Sequence, residues 1–557
     1  MHIHLGKLSA ALVLVLASSG ALVAGPAGAD PTAPDPTVPA AADPGAKASA
    51  AGVENRAEQA EAALATVQAM FSGDAAAARK VSGSSKDLTI ALRDLSRLKT
   101  DLSAGDRAQA EAFLARPTNP GTTGPLDDPA YTVAEATPVC DIHVCIHYVT
   151  STADAVASTD VSPANLIPDF VDKAVATMEL IHTAYVTGGY RAPKSDLNSA
   201  NNGGDARTDI YLANMPSGYY GYCTSDDPDF NPPVTHEFDA SAFCVLDNDY
   251  NSVQFPHKTP TQNLQATASH EYFHAVQFAY DIWEDSWLME ATATWVEDEV
   301  YDTINDNRQF LPYSPLSHPG VSLDDLDGTH EYGDWIFFRY LSERFPSSVN
   351  GLPTVVRDIW RRVDGAAGGP DQYSMQAVRN TVAARGAKFP AAFSRFAALN
   401  RHPVTFYEEG AAYQASPLAG TFGLSGSHRS TGWLMINLDH LTNAHARVKP
   451  SSTLTQSDWR LRINFDAPNT LRGSAATAQV YKKNGSIAIY PITLNSSGDA
   501  TKVFPFSASS VKYVEVTMTN ASTRYGSCFL QDSPWSCFGI PQDQNLRFEF
   551  RATAFRA

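Results

Sequence analysis

Apolar residues change their spacing twice along the chain, and these changes divide it into three regions. Residues 54–113 are rich in Ala, Glu, Arg and Leu, and their leucines recur at helical spacing, which predicts helices. Residues 130–415 mix short apolar runs with amphipathic stripes. Residues 416–557 lose the helical pattern and carry short β-rich runs, separated by turn pairs such as Asn484-Gly485.

The middle region predicts strands followed by helices, which is an α+β fold. Residues 167–185 place their apolar side chains on one helical stripe. Residues 219–229 are rich in Tyr, Gly and Asp and are predicted to form a loop. The predicted strands are residues 144–149, 209–213 and 243–246, and the predicted helical stretches are 167–185, 262–302, 332–345 and 355–362.

The C-terminal region, residues 416–557, predicts a β-sandwich. Its apolar runs are short, and turn residues recur between them at intervals typical of all-β domains. The predicted strands are residues 433–438, 459–465, 478–481, 487–492, 511–517 and 546–550.

The N-terminus has the pattern of a secretory signal peptide, residues 1–29. Lys7 precedes an apolar run, and Ala27-Gly28-Ala29 fits a cleavage site, so a secreted chain beginning near Asp30 is expected. The apolar run is too short to span a membrane. Residues 30–129 contain two Pro-rich linkers on either side of the helical stretch. Whether this region is a removed propeptide or a small structural domain stays open.

Composition and charge limit the possible functions. The chain of 557 residues is 43% hydrophobic and 18% charged, which is typical of a folded protein with about two to four domains. Its formal net charge is −19. Binding to nucleic acid requires clustered Lys and Arg, so no nucleic-acid partner is expected.

Six cysteines in a chain with an export signal predict disulfides. Cys140 and Cys145 can pair only if a turn precedes the strand at residues 144–149, because an extended chain would hold their Cα atoms about 16 Å apart. A Cys/His metal site formed with His143 and His147 is the alternative, and its spacing disfavours it. The simplest pairing joins neighbours, namely 140 with 145, 223 with 244 and 528 with 537.

The most specific chemical signal is the sequence His270-Glu271-Tyr-Phe-His274. Two imidazoles four residues apart lie on one face of a helix and can bind a single Zn²⁺ ion. The glutamate beside the first histidine can then act as a general base toward water. An apolar stripe on the other side predicts that one face of this helix is buried and that both imidazoles point into a cleft.

A third metal ligand is predicted on the following helix. Glu290 lies sixteen residues after His274, and two histidines with one glutamate and an open fourth position form a standard catalytic zinc site. Spacing alone does not choose among the nearby acidic residues, so Glu284, Asp285 and Glu297 remain alternatives.

Two acidic clusters offer hard oxygen ligands for a structural Ca²⁺ ion, at residues 226–229 and 302–306. Neither matches the twelve-residue calcium loop, and solvated loops are the alternative. Four other histidines are predicted to be structural or exposed, namely His143, His147, His182 and His236.

With these residues the chain resembles the zincin metallopeptidases, in the gluzincin-type branch whose third ligand is a Glu on the helix after the motif. It is similar to secreted bacterial metallopeptidases that combine a zincin-like domain with a C-terminal β-sandwich. The resemblance covers roughly residues 131–345, and its specific part is short. It implies Zn²⁺, a catalytic helix packed on a small mixed sheet, and a peptide bound along an edge strand, with residues 209–213 or 243–246 as candidates.

The resemblance also implies a donor for the oxyanion and an outer partner for a ligand imidazole. Tyr332 or His330 can supply the donor, and we favour Tyr332. Relatives place an Asp four residues after the ligand Glu to hold a ligand His, whereas this chain has Thr294 there. Glu297 or Asp281 is the candidate replacement.

The sequence therefore predicts a secreted zinc-dependent endopeptidase for protein or peptide substrates, with Glu271 and Tyr332 as catalytic residues. One alternative is a secreted binding or adhesion protein with a structural or inactive zincin domain, although the intact Glu271 argues against inactivity. Another alternative is a metal-dependent hydrolase that acts on a different bond. The ligand of the β-sandwich is not predicted.

Overall fold

The computed structural model describes residues 50–72, 88–118, 130–215, 219–228, 230, 237–326, 329–530 and 533–557. The predicted signal peptide and most of both predicted linkers lie outside these ranges, as does His236. All the described residues belong to one compact unit, residues 43–557.

A five-stranded mixed sheet is the scaffold of the region before the C-terminal β-rich region. Its strands are arranged in the order β1-β2-β3-β5-β4. The inner strands β2, β3 and β5 are parallel, whereas β1 and β4 run antiparallel to their neighbours at the two edges. Every residue of β3 and β5 is buried, as expected for parallel strands that are covered on both faces. The strands are β1 (Val139–Cys140), β2 (Val144–His147), β3 (Thr208–Ala213), β4 (Gly221–Thr224) and β5 (Phe243–Asp247).

Twelve α-helices are assigned among the described residues. None of them is long and apolar enough to cross a membrane, as the sequence predicts. In chain order they are α1 (Ala50–Phe71), α2 (Leu88–Leu98), α3 (Ala104–Phe113), α4 (Asp169–Thr187), α5 (Pro260–Asp281), α6 (Ser286–Val300), α7 (His330–Gly333), α8 (Trp335–Arg344), α9 (Thr354–Trp360), α10 (Ser374–Ala384), α11 (Phe389–Leu399) and α12 (Pro403–Phe406).

The two faces of the sheet contact different helices. Successive residues of a strand point to opposite faces. Ile210 and Leu246 belong to the large core that contains the apolar residues of α4 and α5. Tyr211 and Phe243 belong to a second core that contains the apolar residues of α1, α2 and α3. The N-terminal helices therefore form a layer of their own against the sheet.

Two predictions about the sheet are wrong. Residues 219–229 are not only a loop, because β4 lies within them and pairs antiparallel with β5. Neither β3 nor β5 is an edge strand, since each has a neighbour on both sides. The edge strand that contacts α5 is β4. This strand has only four residues and no clear alternation of polarity, so its sequence is that of a loop.

Three disulfides join neighbouring cysteines, as predicted: Cys140–Cys145, Cys223–Cys244 and Cys528–Cys537. The first two cysteines face each other across the β1–β2 pair, with their Cα atoms 4.1 Å apart. The required turn is present, because the amide of Asp141 donates to the carbonyl of Val144. A Cys/His metal site at this position is thereby excluded, since both sulfur atoms are bonded to each other.

The C-terminal region contains two sheets that share one hydrophobic core. The first has the strand order β13-β12-β15-β10-β8 and the second β14-β11-β18-β9. Buried and exposed residues alternate along β11, which is the pattern that identifies such strands from sequence. Each of the six predicted strands lies within an observed one, whereas β8, β10 and β14 were missed. The strands are β8 (Gly420–Leu424), β9 (Ser430–Leu438), β10 (Thr442–Pro450), β11 (Trp459–Asp466), β12 (Ser474–Lys482), β13 (Ile487–Ile492), β14 (Asp499–Pro505), β15 (Val511–Asn520) and β18 (Leu546–Arg556). Four two-residue strands form two separate pairs, β6 (Ser348–Val349) with β7 (Leu352–Pro353) and β16 (Tyr525–Gly526) with β17 (Ile540–Pro541).

Buried hydrogen bonds attach this β-rich region to the rest of the chain. Asp324 accepts from the imidazole Nε2 of His440 (2.8 Å) and from the phenol of Tyr525 (2.6 Å). The amide of Cys537 donates to Asp285, the residue that immediately precedes α6 (2.8 Å). The last disulfide loop therefore supports the start of the helix on which the third metal ligand is predicted.

His147 in β2 is expected to make the stability of the fold depend on pH. Burial alone lowers the pKa of its imidazole, but hydrogen bonds to Asp209 and Glu135 outweigh burial and raise the pKa to about 9. An unfolded histidine titrates near 6.5. The protonated imidazole therefore stabilises the fold fully below about pH 6.5, and this contribution, on the order of 3 kcal/mol, is lost as the pH rises through about 9.

Urea unfolding at pH 6 and at pH 9.5 measures this effect. We expect a His147→Gln variant to lose much of the pH dependence in this window, because its amide does not titrate. An equal pH dependence in wild type and variant would contradict the assignment.

Candidate metal centre

The helix that carries both histidines, α5, has a well-defined start. The hydroxyl of Thr259 accepts from the amide of Gln262, and the side chain of Gln262 accepts from the amide of Thr259. This reciprocal arrangement is a capping box, and Pro260 occupies the first helical position that proline favours. The helix continues without a break to Asp281, so His270 and His274 are separated by one helical turn.

The prediction that α5 buries only one face is wrong. His270 and His274 are both 0% exposed, and the apolar residues of the opposite stripe are buried as well. Side chains of α6 and of the N-terminal helix α2 cover the polar face. The imidazoles therefore point into the protein interior in the intact chain.

The structure brings the three predicted metal ligands together. The Nε2 atom of His270 lies 3.1 Å from one carboxylate oxygen of Glu290, and the Nε2 atom of His274 lies 3.5 Å from the other. Ligand atoms of the three residues all lie within 4.8 Å of one another. Two imidazole nitrogens and a carboxylate oxygen are ligands that Zn²⁺ prefers, so this donor set fits the predicted metal.

The second ring nitrogen of each imidazole, Nδ1, also has a hydrogen-bond partner. The Nδ1 atom of His270 lies 2.8 Å from a carboxylate oxygen of Glu297, and the Nδ1 atom of His274 lies 2.7 Å from the side-chain oxygen of Gln277. Donation from Nδ1–H to an oxygen leaves Nε2 free to bind a metal, and such partners orient metal-binding histidines. The sequence places Gln277 on the same helix face as both histidines, but its role as the partner of His274 was not predicted.

The two candidates for an outer partner are now distinguished by position. Glu297 contacts His270, whereas Asp281 accepts from the amide of Trp283 at the end of α5. Thr294, where relatives have an Asp, is buried, and its hydroxyl has no hydrogen-bond partner within the described ranges. Glu297 lies two turns after Glu290 on the same helix, so the outer carboxylate has moved by about one turn.

The alternative ligands on or near α6 face other groups. Glu284 accepts from the amides of Asp285 and Ser374, and Asp285 accepts from the amide of Cys537. Among the acidic residues that spacing left open, Glu290 is the one whose carboxylate lies next to both histidines.

The predicted general base, Glu271, has a partner that the sequence did not indicate. The hydroxyl of Thr89 in α2 donates to a carboxylate oxygen of Glu271 (2.8 Å). The same hydroxyl accepts from the amide of Cys223 in the edge strand β4 (3.0 Å). Both Thr89 and Glu271 are buried. A threonine in a helical run carries no local signal for such a contact.

The two candidate oxyanion donors are placed differently. The ring of Tyr332 stacks on His270, with ring centroids 6.0 Å apart, and on Phe310 at 4.9 Å. His330 instead contacts the carbonyl of Tyr313 through Nδ1 (2.6 Å), and burial lowers its pKa to about 4. Tyr332 is therefore the candidate that touches a metal ligand.

Basic side chains of the chain already contact the first acidic cluster. Asp226 pairs with Arg116, and Asp227 lies 3.3 Å from Lys194. Asp229 of the first cluster lies outside the described residues. At the second cluster, Asp302 lies near Asp298 and Glu409, and Asp298 pairs with Arg339. The proposed Ca²⁺ site stays a prediction.

Comparisons with known proteins do not identify a family for this chain. No family model matches the chain, and no curated protein matches it. Among solved structures, it is similar to a GH115 4-O-methyl-alpha-glucuronidase with specificity for decorated arabinogalactans, at 7% identity and a TM-score of 0.14, over 67% of this chain and 54% of that one. The chain thus spans about half the length of that enzyme. A likeness at this level does not bear on fold or function.

Proposed function

We propose that this chain is a secreted zinc-dependent endopeptidase. The observation that carries the proposal is the convergence of His270, His274 and Glu290, with Glu271 next to the first ligand. These residues come from the two helices α5 and α6. The Nδ1 atoms of both histidines are held by hydrogen bonds in the orientation that metal binding needs. The gluzincin-type resemblance of the motif supports the same reaction.

A zinc ion held by these ligands supplies Lewis-acid chemistry, which polarises a scissile carbonyl and acidifies water. Glu271 accepts a proton from the attacking water at its carboxylate and then passes that proton to the leaving amine nitrogen. The carboxylate of Glu297 and the amide of Gln277 keep both ligand imidazoles in position. The phenol of Tyr332 is our candidate donor to the developing oxyanion.

The cellular location and the substrate are part of the same proposal. The signal-peptide pattern in residues 1–29 and the three disulfides suit an exported protein. The edge strand β4 lies beside α5, and an extended peptide can pair with an exposed edge strand. We therefore assign protein or peptide chains as the substrate class.

A binding function of the β-rich region is the second candidate, and one observation favours it. On the second sheet, half-exposed Trp433 borders a groove of about 420 Å³ that Asn464 and Thr501 also line. An exposed aromatic ring with polar neighbours is a common recognition surface. This candidate predicts binding without any dependence on Glu271.

Casein cleavage by wild type and by Glu271→Gln, both loaded with zinc, tests the endopeptidase. We expect the variant to bind zinc normally and to lose about 100- to 10,000-fold in kcat/KM, because the amide cannot accept the proton. Zinc content is measured on the same samples, so a loss of metal is not mistaken for a loss of the base. Because Thr89 covers Glu271, each protein is assayed before and after the chain is cut between residues 118 and 130.

Two results would reject parts of this proposal. Full activity of Glu271→Gln would exclude Glu271 as the base. If wild type binds zinc but cleaves no protein in either form, the endopeptidase is wrong and the binding candidate takes its place.

A further inference from the structure

The second sheet of the β-rich region exposes its outer face, whereas the first sheet packs its outer face against helices. The hydroxyl of Ser394 in α11 lies 2.9 Å from that of Thr477 in β12. Glu515 in β15 forms a buried ion pair with Arg401, two residues after the end of α11. On the second sheet, by contrast, Trp433 in β9 is 47% exposed. The second sheet is therefore the one whose outer face can contact a ligand.

Trp433 begins a row of side chains that crosses this outer face. It lies opposite Arg551 in β18, whose guanidinium carbon is 4.9 Å from the centroid of the indole ring. Arg551 lies opposite Asn464 in β11, and Asn464 lies opposite Thr501 in β14. The side-chain amide of Asn464 donates to the hydroxyl of Thr501 (2.8 Å). Neighbouring strands are about 4.8 Å apart, so the row extends over about 14 Å from an aromatic end to a polar end.

The next row on the same face carries three carboxylates side by side. Asp466 in β11 lies opposite Glu549 in β18 on one side and opposite Asp499 in β14 on the other. Like charges directly opposite each other destabilise a sheet, so this row opposes folding. Arg547 pairs with Glu549 (2.6 Å) at one end of the row, whereas both aspartates line the groove that Trp433 borders. Departures of this kind from the pattern that favours the fold are expected at functional surfaces.

The three carboxylates are not arranged to hold a metal ion together. Two groups of ligand atoms in the described ranges lie within 4.8 Å of one another, and neither group includes Asp466, Asp499 or Glu549. Carboxylates that are too far apart to share a cation still accept hydrogen bonds, through two oxygens each. The row is therefore suited to a ligand that presents several hydroxyl groups.

The groove of about 420 Å³ combines one aromatic ring with donors and acceptors. Among the described residues, no lysine or arginine lines it, so a phosphate or an acidic sugar would meet two carboxylates without a cation. Amide and hydroxyl side chains donate and accept hydrogen bonds, whereas carboxylates only accept them. A fitting ligand must therefore donate hydrogen bonds and carry no negative charge. The polar side chains of the lining are Asn464, Asp466, Asn495, Asp499 and Thr501.

A neutral saccharide has both properties that this groove requires. One side of a sugar ring presents C–H groups that can lie on an aromatic ring, and its edge presents hydroxyl groups that donate and accept hydrogen bonds. Asn464 and Asp466 are two residues apart on β11 and so point to the same face, where they can contact neighbouring hydroxyls. A protein partner fits less well. Charged residues are depleted at the centre of protein interfaces, whereas Arg551 and Asp466 lie in the two central strands of this face.

We propose that the outer face of the second sheet binds a neutral oligosaccharide, with one sugar ring stacked on Trp433 and its hydroxyl groups hydrogen-bonded to Asn464 and Asp466. The inference gives a ligand class to the second candidate function. It does not rest on the endopeptidase, because the groove and the metal centre share no residue.

Native electrophoresis of the full chain through gels that contain a soluble polysaccharide tests the proposal. The neutral probes are xylan, mixed-linkage β-glucan, galactomannan and soluble starch, and the anionic probe is polygalacturonate. Pull-down with cellulose and with chitin adds two insoluble neutral probes. We expect at least one neutral polysaccharide to bind the chain and polygalacturonate not to bind it. The dependence of mobility on polysaccharide concentration gives the Kd.

Two variants and one matched control locate the binding site. Trp433→Ala removes the stacking surface, and we expect the Kd to rise by at least about 10-fold, as for other central tryptophans of a binding site. Asn464→Ala removes one hydrogen-bonding group, and we expect a rise of about 5-fold. The control is Phe529→Ala, which removes a ring that is 45% exposed in the same region but outside both sheets, and it should change nothing. Thermal melting shows whether each variant is folded.

Three results would overturn the proposal. The first is that none of the neutral polysaccharides binds wild type. The second is an equal Kd for wild type and Trp433→Ala, or for wild type and Asn464→Ala if Trp433→Ala does not fold. The third is tighter binding to polygalacturonate than to every neutral polysaccharide.

The same samples distinguish this proposal from the endopeptidase. Glu271→Gln keeps the groove intact, so we expect it to bind polysaccharide with the Kd of wild type. Saccharide binding without casein cleavage rejects the endopeptidase and supports the saccharide site. Casein cleavage without saccharide binding does the reverse.

Discussion

Replacing Glu290 with glutamine is expected to abolish stoichiometric zinc binding. The carboxylate of Glu290 contacts the Nε2 atoms of both histidines, and it supplies the negative charge of the donor set. An amide oxygen is neutral and a weaker ligand, so the affinity should fall by more than the roughly 10- to 100-fold that follows the loss of an outer partner. Metal analysis after dialysis against a weak chelator measures the remaining zinc.

Three matched variants distinguish the loss of a metal ligand from the loss of other carboxylates nearby. Glu297→Gln keeps all ligands and removes the charge beside His270, so we expect zinc affinity to fall by about 10- to 100-fold. Glu284→Gln and Asp285→Asn alter carboxylates that face other groups, and we expect them to keep full zinc. Full zinc in Glu290→Gln together with its loss in Glu284→Gln would contradict the ligand assignment.

Zinc should also raise the thermal stability of wild type and not that of Glu290→Gln. A ligand that binds only the folded state adds about 4 kcal/mol at a thousand times its Kd. Melting curves with and without added zinc therefore report the site even before any substrate is known.

The second large effect is expected from Arg116→Met. Arg116 is 0% exposed and pairs with three carboxylates, those of Asp196, Asp209 and Asp226. Burial raises the pKa of Asp196 to about 6 even though the guanidinium beside it favours the charged form. Removing the guanidinium takes the ion pair away from the buried carboxylate of Asp196 and leaves Asp209 only its contact with His147, and breaking such a buried pair costs about 3–5 kcal/mol. Urea unfolding of the intact chain near pH 7 measures the loss.

Arg56→Met is the control for this prediction. Its partner Asp101 is the other half of a largely exposed pair, and such pairs contribute less than about 1 kcal/mol. If Arg116→Met also lowers the free energy of unfolding by less than about 1 kcal/mol, the three carboxylates must be protonated or solvated once the guanidinium is absent. Part of the expected loss should disappear at low pH, because protonation removes the uncompensated charges.

Local sequence spacing predicted which residues of the candidate metal centre lie together. Residues four apart on a helix share a face, so His270 and His274 follow from the motif alone. Glu290 was one of four candidates, and only the packing of α6 against α5 separates its carboxylate from those of Glu284 and Asp285. The same spacing placed Gln277 on the face of the two histidines, but its contact with His274 was not predicted.

Local patterns in the sequence also predicted many of the helices and strands. Short β-rich runs between turn residues located six strands of the β-rich region, and helical stripes located α4, α5 and α6. The edge strand β4 was not found, because four residues of mixed polarity carry no period. What makes it a strand is its pairing with β5, a long-range interaction that the local sequence does not contain.

By itself, the sequence determined most of the longer helices and strands, the neighbouring disulfides and the residues able to bind a metal, because each of these depends on groups close together in the chain. Only the tertiary structure decided which distant groups meet. Thr89 and Glu271 are 182 positions apart, and Arg116 lies 93 positions from Asp209. Such contacts depend on how whole layers pack, and no local periodicity records them. The contact between α2 and Glu271 is therefore visible only in the folded chain.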